Sequence, residues 1–422
     1  MGDFEIILRA AFYKSANDLL ESLLQRVIDN MDAGFKAPAG FGFKGRKSIN
    51  ISGIFGEVNV SRNYYYNEKR CIGVHPADAL LGLEAGCTPA LAKLISLEGA
   101  DECSYEKAQT HLQQTGGINI SARQIQRIVN KIGPEAHAWQ SRTGVAENQK
   151  TTPVLYVSAD GTGVPMRKGE LVNRPGKQDD GSAKTRQAYL GCVFTQQKLD
   201  DDGKPVRDYQ STTYVSGFQT VSEFGIVLRQ EAIRRGMGNA SETVFLVDGA
   251  VGLEHMGHDC FPKSTQIVDY FHAMEHVSTA LIALLGSKAH PEYDQRYTQW
   301  AEELLDDKVE SLIEITVSES VRTHTRDAVN KELGYFRNNI DRMKYGSFKK
   351  RGFFIGSGVI EAGCKSLIGQ RCKQSGMFWS LDGAGYVLDF RCMLYSRNEK
   401  KFWDQRLRDK KATVAAFLSV AA

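Results

Sequence analysis

A chain of 422 residues has room for two or three domains and a sizeable hydrophobic core. Its 42% hydrophobic and 24% charged residues are the proportions of a folded globular protein, which excludes wholesale disorder. The 53 basic and 50 acidic side chains leave a net charge of +3, so any contact with nucleic acid has to come from local patches and not from the overall field. No apolar run reaches membrane-spanning length and no signal-peptide pattern opens the chain, so no membrane partner is expected. The eight cysteines are scattered, which predicts free thiols and a reduced, cytoplasmic protein.

Residues 1–75 read as a helix followed by a β-hairpin. Leu20, Leu23, Leu24, Val27, Ile28 and Met31 recur at helical spacing, so a helix over 4–32 covers either the body of the chain or a second subunit. Ile49-Asn50-Ile51 and Val58-Asn59-Val60 alternate with period two around Gly53 and Gly56, the pattern of a hairpin. The run Tyr64-Tyr65-Tyr66, beside Arg62, Lys69 and Arg70, fits either nucleic-acid stacking or a strand end whose rings cover the core. Cys71 alone cannot build a zinc knuckle, which needs about four ligands.

Residues 76–136 predict a helix-turn-helix domain. Thr88-Pro89 opens one helix and Ser104 caps a second, which Gly116-Gly117 ends. Ser121 and Gln124 have capping-box spacing at the head of a third, with Ile125, Ile128, Val129 and Ile132 inward and Gly133-Pro134 as the stop. Its outer face carries Arg123, Gln124, Gln126, Arg127, Asn130 and Lys131, side-chain types that hydrogen-bond base edges and phosphates in a major groove. A solvated polar face is the alternative.

Beyond a polar linker at about 137–152 the pattern becomes α/β. Val154-Leu155-Tyr156-Val157 runs into Asp160-Gly161, and Val244-Phe245-Leu246-Val247 runs into Asp248-Gly249. Between them lie a strand at 189–194, reached across a charged loop, and a helix ending near Gly236. Ile267-Val268 leads into Asp269 and His272. Strands first, then helix and strand in alternation, predict a mixed sheet flanked by helices, with acids at its edge where open α/β sheets bind ligands. This core spans 150–272 and 353–400, interrupted by an all-α insertion at 273–352 and followed by a basic tail at 401–422. The second part opens on Gly356-Ser357-Gly358-Val359-Ile360-Glu361, a glycine turn with Ser357 as N-cap and Glu361 near the start of a helix. Lys365 lies one turn on, on the same face, and Arg371 and Lys373 follow. They read as phosphate contacts or as a solvated helix face. Three acids from strand, strand and helix suggest one metal site assembled by folding.

Asp160, Asp248 and Glu361, in this order, resemble the acidic triad of DDE transposases with an RNase H-like core. Asp269-Tyr270-Phe271-His272 looks like the Asp/Cys-x-x-His signature of Mutator-type transposases. The tract Gly356 to Glu361, through Arg371-Cys372-Lys373 and on to Gly376-Met377-Phe378-Trp379, is similar to bacterial insertion-sequence transposases of the Kra type. Tyr335, Met343-Lys344-Tyr345, Leu81-Gly82-Leu83 and the tyrosine run fit the same family, which often carries a Cys-x-x-Cys knuckle where only Cys71 stands here. A zinc-supported N-terminal module is therefore not expected.

The resemblance implies catalysis by Asp160, Asp248 and Glu361, with Asp269 and His272 in support. His272 either orders the site or caps a helix. Two Mg²⁺ ions, replaceable by Mn²⁺, would take oxygen ligands from the three carboxylates, with Asp160 shared between them. The expected reaction is hydrolytic nicking at the ends of an element, then attack of the freed 3′-hydroxyl on target DNA. The expected partners are double-stranded DNA, as terminal inverted repeats and as target, and a second subunit or more. Competing classes are a nuclease that cuts without joining, a non-enzymatic DNA-binding derivative, and a zinc hydrolase using Glu254, His255, His258, Cys260 and His272.

Overall fold

Alternation around Gly53 and Gly56 becomes a hairpin in the computed structural model, which describes residues 2–37, 39–142, 152–176, 178, 181, 183–322 and 325–421. These divide into one unit of residues 1–139 and 382–422 and another of residues 140–381.

In the first unit, α1 (Gly2–Gly34) precedes β1 (Gly42–Gly53), β2 (Gly56–Asn67) and β3 (Ile72–Val74). Ile49 pairs with Val60 and Ile51 with Val58 across the antiparallel hairpin. The other edge of β2 is closed by side chains of α1: Glu21 accepts from Asn59 N, Gln25 from Ser61 N and Asp32 from Asn63 N, each at 2.8 Å. Alternate strand amides meet residues on one helix face, so donors that would otherwise lack partners are satisfied. Of the tyrosine run, Tyr65 is buried and packs on Phe35 and Phe43, the core-covering alternative.

After α2 (Pro76–Leu81) come α3 (Pro89–Asp101), α4 (Tyr105–Gly116) and α5 (Ala122–Gln140). Thr88 and Ser104 cap as expected, accepting from Leu91 N at 3.3 Å and Lys107 N at 3.2 Å, and Gly117 takes the left-handed conformation at φ +65°. Two expectations need correction. Ser121 accepts from Gln124 N at 3.2 Å, but the Gln124 side chain does not close the box; it donates to Ala85 O at 3.2 Å. Gly133-Pro134 does not stop the helix either. The inward stripe continues through buried Ala136 to Gln140, and Gly133 lies so close to Tyr386 that an added Cβ would sit 2.2 Å from the ring. Burial outweighs the one helical hydrogen bond that Pro134 cannot make. Residues 137–140 of the expected linker are thus helical, and 143–151 lie outside the described residues.

In the second unit, β4 (Thr152–Pro165) pairs antiparallel with β5 (Thr185–Leu199), which also pairs with β6 (Pro205–Arg207) and β7 (Thr213–Gly217). Next come α6 (Val221–Arg234), β8 (Ala240–Val247), α7 (Val251–Cys260) and β9 (Thr265–Val268). β4 and β8 are parallel, as are β8 and β9, giving the mixed sheet the pattern predicts. Leu155, Val157, Ala159, Phe245 and Val247 pack with Phe224 and Leu228 of α6 and Leu253 and Met256 of α7. Strand parity therefore turns Tyr156, Ser158 and Asp160, with Leu246 and Asp248, to the opposite face.

The helical stretch consists of α8 (Tyr270–Leu285), α9 (Tyr293–Leu305), α10 (Val309–Arg322), α11 (Arg326–Asn339) and α12 (Tyr345–Lys350). Then α13 (Gly358–Gly363) passes into a π-helical segment, Cys364–Gly369, and α14 (Gln370–Cys372).

The last helices, α15 (Leu381–Tyr395) and α16 (Glu399–Ala421), group almost wholly with the first unit, although residues up to 400 were expected in the core. The reason is polar anchoring in the interior. Arg391, 1% exposed, donates to Ala100 O at 2.8 Å and Asp101 O at 2.7 Å. Buried Asp389 accepts from His137 at 2.9 Å, and Arg406 pairs with Glu84 and Glu135.

Candidate active site

Asp160 does not end its strand as expected. β4 runs on to Pro165 because β5 still pairs with it there, Asp160 standing opposite Leu190. Pairing of β4 with β8, by contrast, stops at Val157 and Phe245. Asp160 thus projects from β4 just past the point where the neighbouring parallel strand leaves it. Asp248 follows directly on Val247, the last residue of β8, as the apolar run predicts. Its Oδ1 accepts from Ala250 N at 3.0 Å. Burial, and then the charge of Asp160, raise the Asp248 carboxyl above the usual aspartate range against the pull of that amide. Two carboxylates from adjacent strands therefore feel each other in a partly desolvated place.

Glu361 comes over this face on α13. Gly363 allows the approach: an added Cβ would stand 3.0 Å from Leu190, the residue opposite Asp160. Ser357 does not cap the helix with its side chain; its hydroxyl donates instead to Glu361 Oε1 at 3.1 Å. What fixes the helix start is Asp269. Its Oδ1 accepts from His272 N at 2.8 Å, capping α8, and its Oδ2 accepts from Ser357 N. Tyr270 N donates to Ile355 O at 2.9 Å beside it. Only 1% exposed, Asp269 joins the end of the sheet to the start of the Glu361 helix. His272 pairs with Glu275 at 3.2 Å, one turn along α8.

A cleft of about 550 Å³ is lined by Asp160, Thr162, Glu361, Cys364, Lys365 and Lys373, among others. Exposed Lys365 and Lys373 put positive charge at its rim, and Lys373 Nζ donates to Thr162 Oγ1. Arg371 must be withdrawn from the DNA-facing set. It is 1% exposed, with its guanidinium 4.8 Å from the Trp379 ring centre. A π-helical segment, Cys364–Gly369, separates it from the turn that bears Glu361. Cys364, three residues after Glu361, is buried beside Asp160; burial and that carboxylate push its thiol well above the ordinary cysteine range, so it stands there as a neutral thiol.

Sequence reasoning assigned no role to Cys364 or Tyr335. The Glu361–Cys364 spacing, one helical turn, is a signal that could have found the first. Tyr335 enters from α11 and has no local signal. Its ring lies on Gly249, where an added Cβ would stand 2.1 Å from the ring edge. Burial, then the charges of Asp248 and Asp269, push its hydroxyl well above the ordinary tyrosine range. Among the described residues, Tyr335 Oη is buried without a hydrogen-bond partner. A buried orphan hydroxyl costs about 1–3 kcal/mol. Tyr335→Phe is therefore expected to leave the metal-free melting temperature unchanged or raised, whereas Gly249→Ala, which forces the ring away, lowers it by the equivalent of about 1–3 kcal/mol. Calorimetric melting of the two variants checks both.

The proposed metal ligands suit hard cations. They are three carboxylates with no thiolate among them, and the mutual repulsion of Asp160 and Asp248 is what a cation between them would relieve. Their oxygens do not all lie within one coordination sphere. Among the described residues, only Glu98, Glu102 and His111 bring three ligand atoms within 4.8 Å of one another. Glu254, His255, His258, Cys260 and His272 form no such group; Glu254 pairs with Arg342 at 3.2 Å and His258 with Asp259 at 2.9 Å.

On the outer face of α5, Arg123 and Asn130 are exposed and Gln126 is half-buried. Gln124 is half-buried and Arg127 and Lys131 are exposed, and all three also reach the turn at 84–87. Gln124 and Arg127 both donate to Ala85 O, at 3.2 and 3.3 Å, and Lys131 lies 3.5 Å from Glu84. Glu84 is 2% exposed and also gathers Arg406 and Lys410. A buried carboxylate needs this positive company.

Residues 4–176 match the model of an uncharacterised protein family (UPF0236), a span that holds Asp160 but neither Asp248 nor Glu361. No curated protein matches the sequence. No described helix is long and apolar enough to cross a membrane. Among solved structures, the chain is similar to the Drosophila P element transposase strand transfer complex, with a TM-score of 0.26 and 10% identity over 73% of this chain and 79% of that one. A likeness at that score supports no statement about activity.

Proposed function

We propose that the chain is a DDE transposase of the Kra insertion-sequence type, with an RNase H-like core, that nicks double-stranded DNA at the terminal inverted repeats of an element and joins the freed 3′-hydroxyl to target DNA. The observation that carries this reading is that Asp160 and Asp248 stand on one face of adjacent parallel strands, near enough for the charge of Asp160 to raise the Asp248 carboxyl, while Glu361 lines one cleft with Asp160. Asp160, Asp248 and Glu361 would hold two Mg²⁺ or Mn²⁺ ions, which when bound lower the pKa of an attacking water and stabilise charge on the phosphate and leaving oxygens.

The chain's own residues do the rest. Lys365 and Lys373 draw the phosphate backbone to the cleft rim. Asp269 holds the start of the Glu361 helix against the sheet. Arg123, Gln126 and Asn130 of α5 meet DNA, joined by the exposed Arg127 and Lys131, while Gln124 is held on Ala85 O. The reading places the protein on the nucleoid as a dimer or larger assembly.

A duplex carrying one element end, labelled at its 5′ terminus and incubated with Mg²⁺ or Mn²⁺, is expected to be cut at the boundary of the repeat and then joined to a target plasmid. Cutting without joining would make the protein a nuclease. No cutting of any duplex under either metal sinks the reading.

A further inference from the structure

Helix α1 is apolar on two sides, and its own unit covers one of them. Leu20, Leu24 and Ile28 pack into the hairpin core, while Phe4, Leu8, Phe12, Leu19, Leu23 and Val27 point elsewhere and stand 42–66% exposed. A helix apolar on two sides is ordinarily buried on both. A continuous stripe about 35 Å long is also more than the scattered apolar side chains of a normal surface.

The pattern of the stripe names its occupant. It reads alike from both ends: Phe4 mirrors Val27, Leu8 mirrors Leu23 and Phe12 mirrors Leu19, about a centre between Ser15 and Ala16. The charges at its two ends mirror with opposite sign, Glu5 with Arg26, and both are exposed. A two-fold axis through the centre lays a second helix antiparallel on the first. Every apolar member of the stripe then meets an apolar one, and Glu5 at each end meets Arg26 of the partner subunit. Ser15 and Ala16 are small enough to let the backbones approach where the helices cross. That is the rule of an isologous contact, one patch complementary to itself. A parallel pairing would set Glu5 against Glu5 and Arg26 against Arg26.

We propose that α1 docks on α1 of a second copy of this chain as an antiparallel, two-fold-symmetric helix pair. The contact is independent of the chemistry in the catalytic cleft, so a failure of either leaves the other standing.

Sedimentation velocity of the full chain tests it. The wild type is expected to sediment as a dimer at micromolar concentration. Leu8→Glu with Leu23→Glu sets four carboxylates in the seam and raises the Kd at least about a hundredfold. Glu5→Arg alone opposes like charges at both ends and weakens the dimer about tenfold, as does Arg26→Glu alone. Combining Glu5→Arg with Arg26→Glu restores wild-type affinity, because each end again meets its complement. All four substituted positions are exposed, and circular dichroism checks that the variants fold. A wild type that stays monomeric at tens of micromolar overturns the proposal, whatever else then covers the stripe. A dimer that survives the two glutamates overturns it as well, and a charge swap that fails to restore affinity overturns the antiparallel register.

Discussion

Asp160→Asn, Asp248→Asn and Glu361→Gln each lower DNA cleavage by about three orders of magnitude or more, a loss of roughly 4 kcal/mol of transition-state stabilisation. Each substitution keeps the shape of the side chain and removes the charge that a divalent cation needs, so undiminished cleavage in any one of them removes that residue from the site. The stability of Asp248→Asn should move the other way. In the metal-free protein the Asp248 carboxyl is raised by burial and by Asp160. The folded state therefore holds this proton to higher pH than the unfolded chain does. Well below about pH 4 both states are protonated and Asp248 carries no penalty. As pH rises past that point the unfolded chain ionises first, and the folded state loses stability until its own raised value is passed. Asp248→Asn should thus melt higher than the wild type at neutral pH and no higher in acid. Added Mn²⁺ should raise the melting temperature of the wild type more than that of the variant. Thermal melts across pH, with and without the metal, check all of these.

Asp269→Ala is expected to cost about 2–4 kcal/mol of stability and to abolish cleavage, though Asp269 does not line the cleft. Two amides depend on this carboxylate, His272 N at the head of α8 and Ser357 N before α13. At 1% exposure no water replaces it. Losing a helix cap costs about 1 kcal/mol, and a buried donor left without an acceptor costs about 1–3 kcal/mol more. Asp269→Asn should fall between the two, because its one carbonyl oxygen can serve one amide while its own NH₂ opposes the other. Urea denaturation gives the stabilities. An Asp269→Ala protein with wild-type melting and wild-type cleavage would remove the residue from its positioning role.

Much of the framework is local and was legible as a string. Apolar runs with β-branched residues mark β4, β5, β8 and β9, and cap residues mark α3 and α4, because strand alternation and capping depend on neighbours a few positions away. The capping box of α6, with Thr220 and Glu223 serving each other, is of the same kind. β7, by contrast, is a five-residue strand whose identity rests on pairing with β5, and nothing local announces it. Pro134 reads as a stop because the string does not show Tyr386 packed on Gly133. Arg371 reads as exposed because basic residues usually are, and because the string does not show its burial against Trp379.

The acids themselves, their order along the chain and the mirror pattern of α1 are properties of the amino-acid string, since composition and spacing need no folding to be read. That Asp160 and Asp248 share a face follows from strand parity once β4 and β8 are known to be parallel neighbours. That Cys364 lies beside Asp160, that Asp269 pins Ser357, and that Tyr335 lies against Gly249 with its hydroxyl unpaired were decided only when distant segments packed. Each of these contacts joins residues far apart in the chain, and the energy that selects such a contact exists only after desolvation and packing have brought both partners to one place.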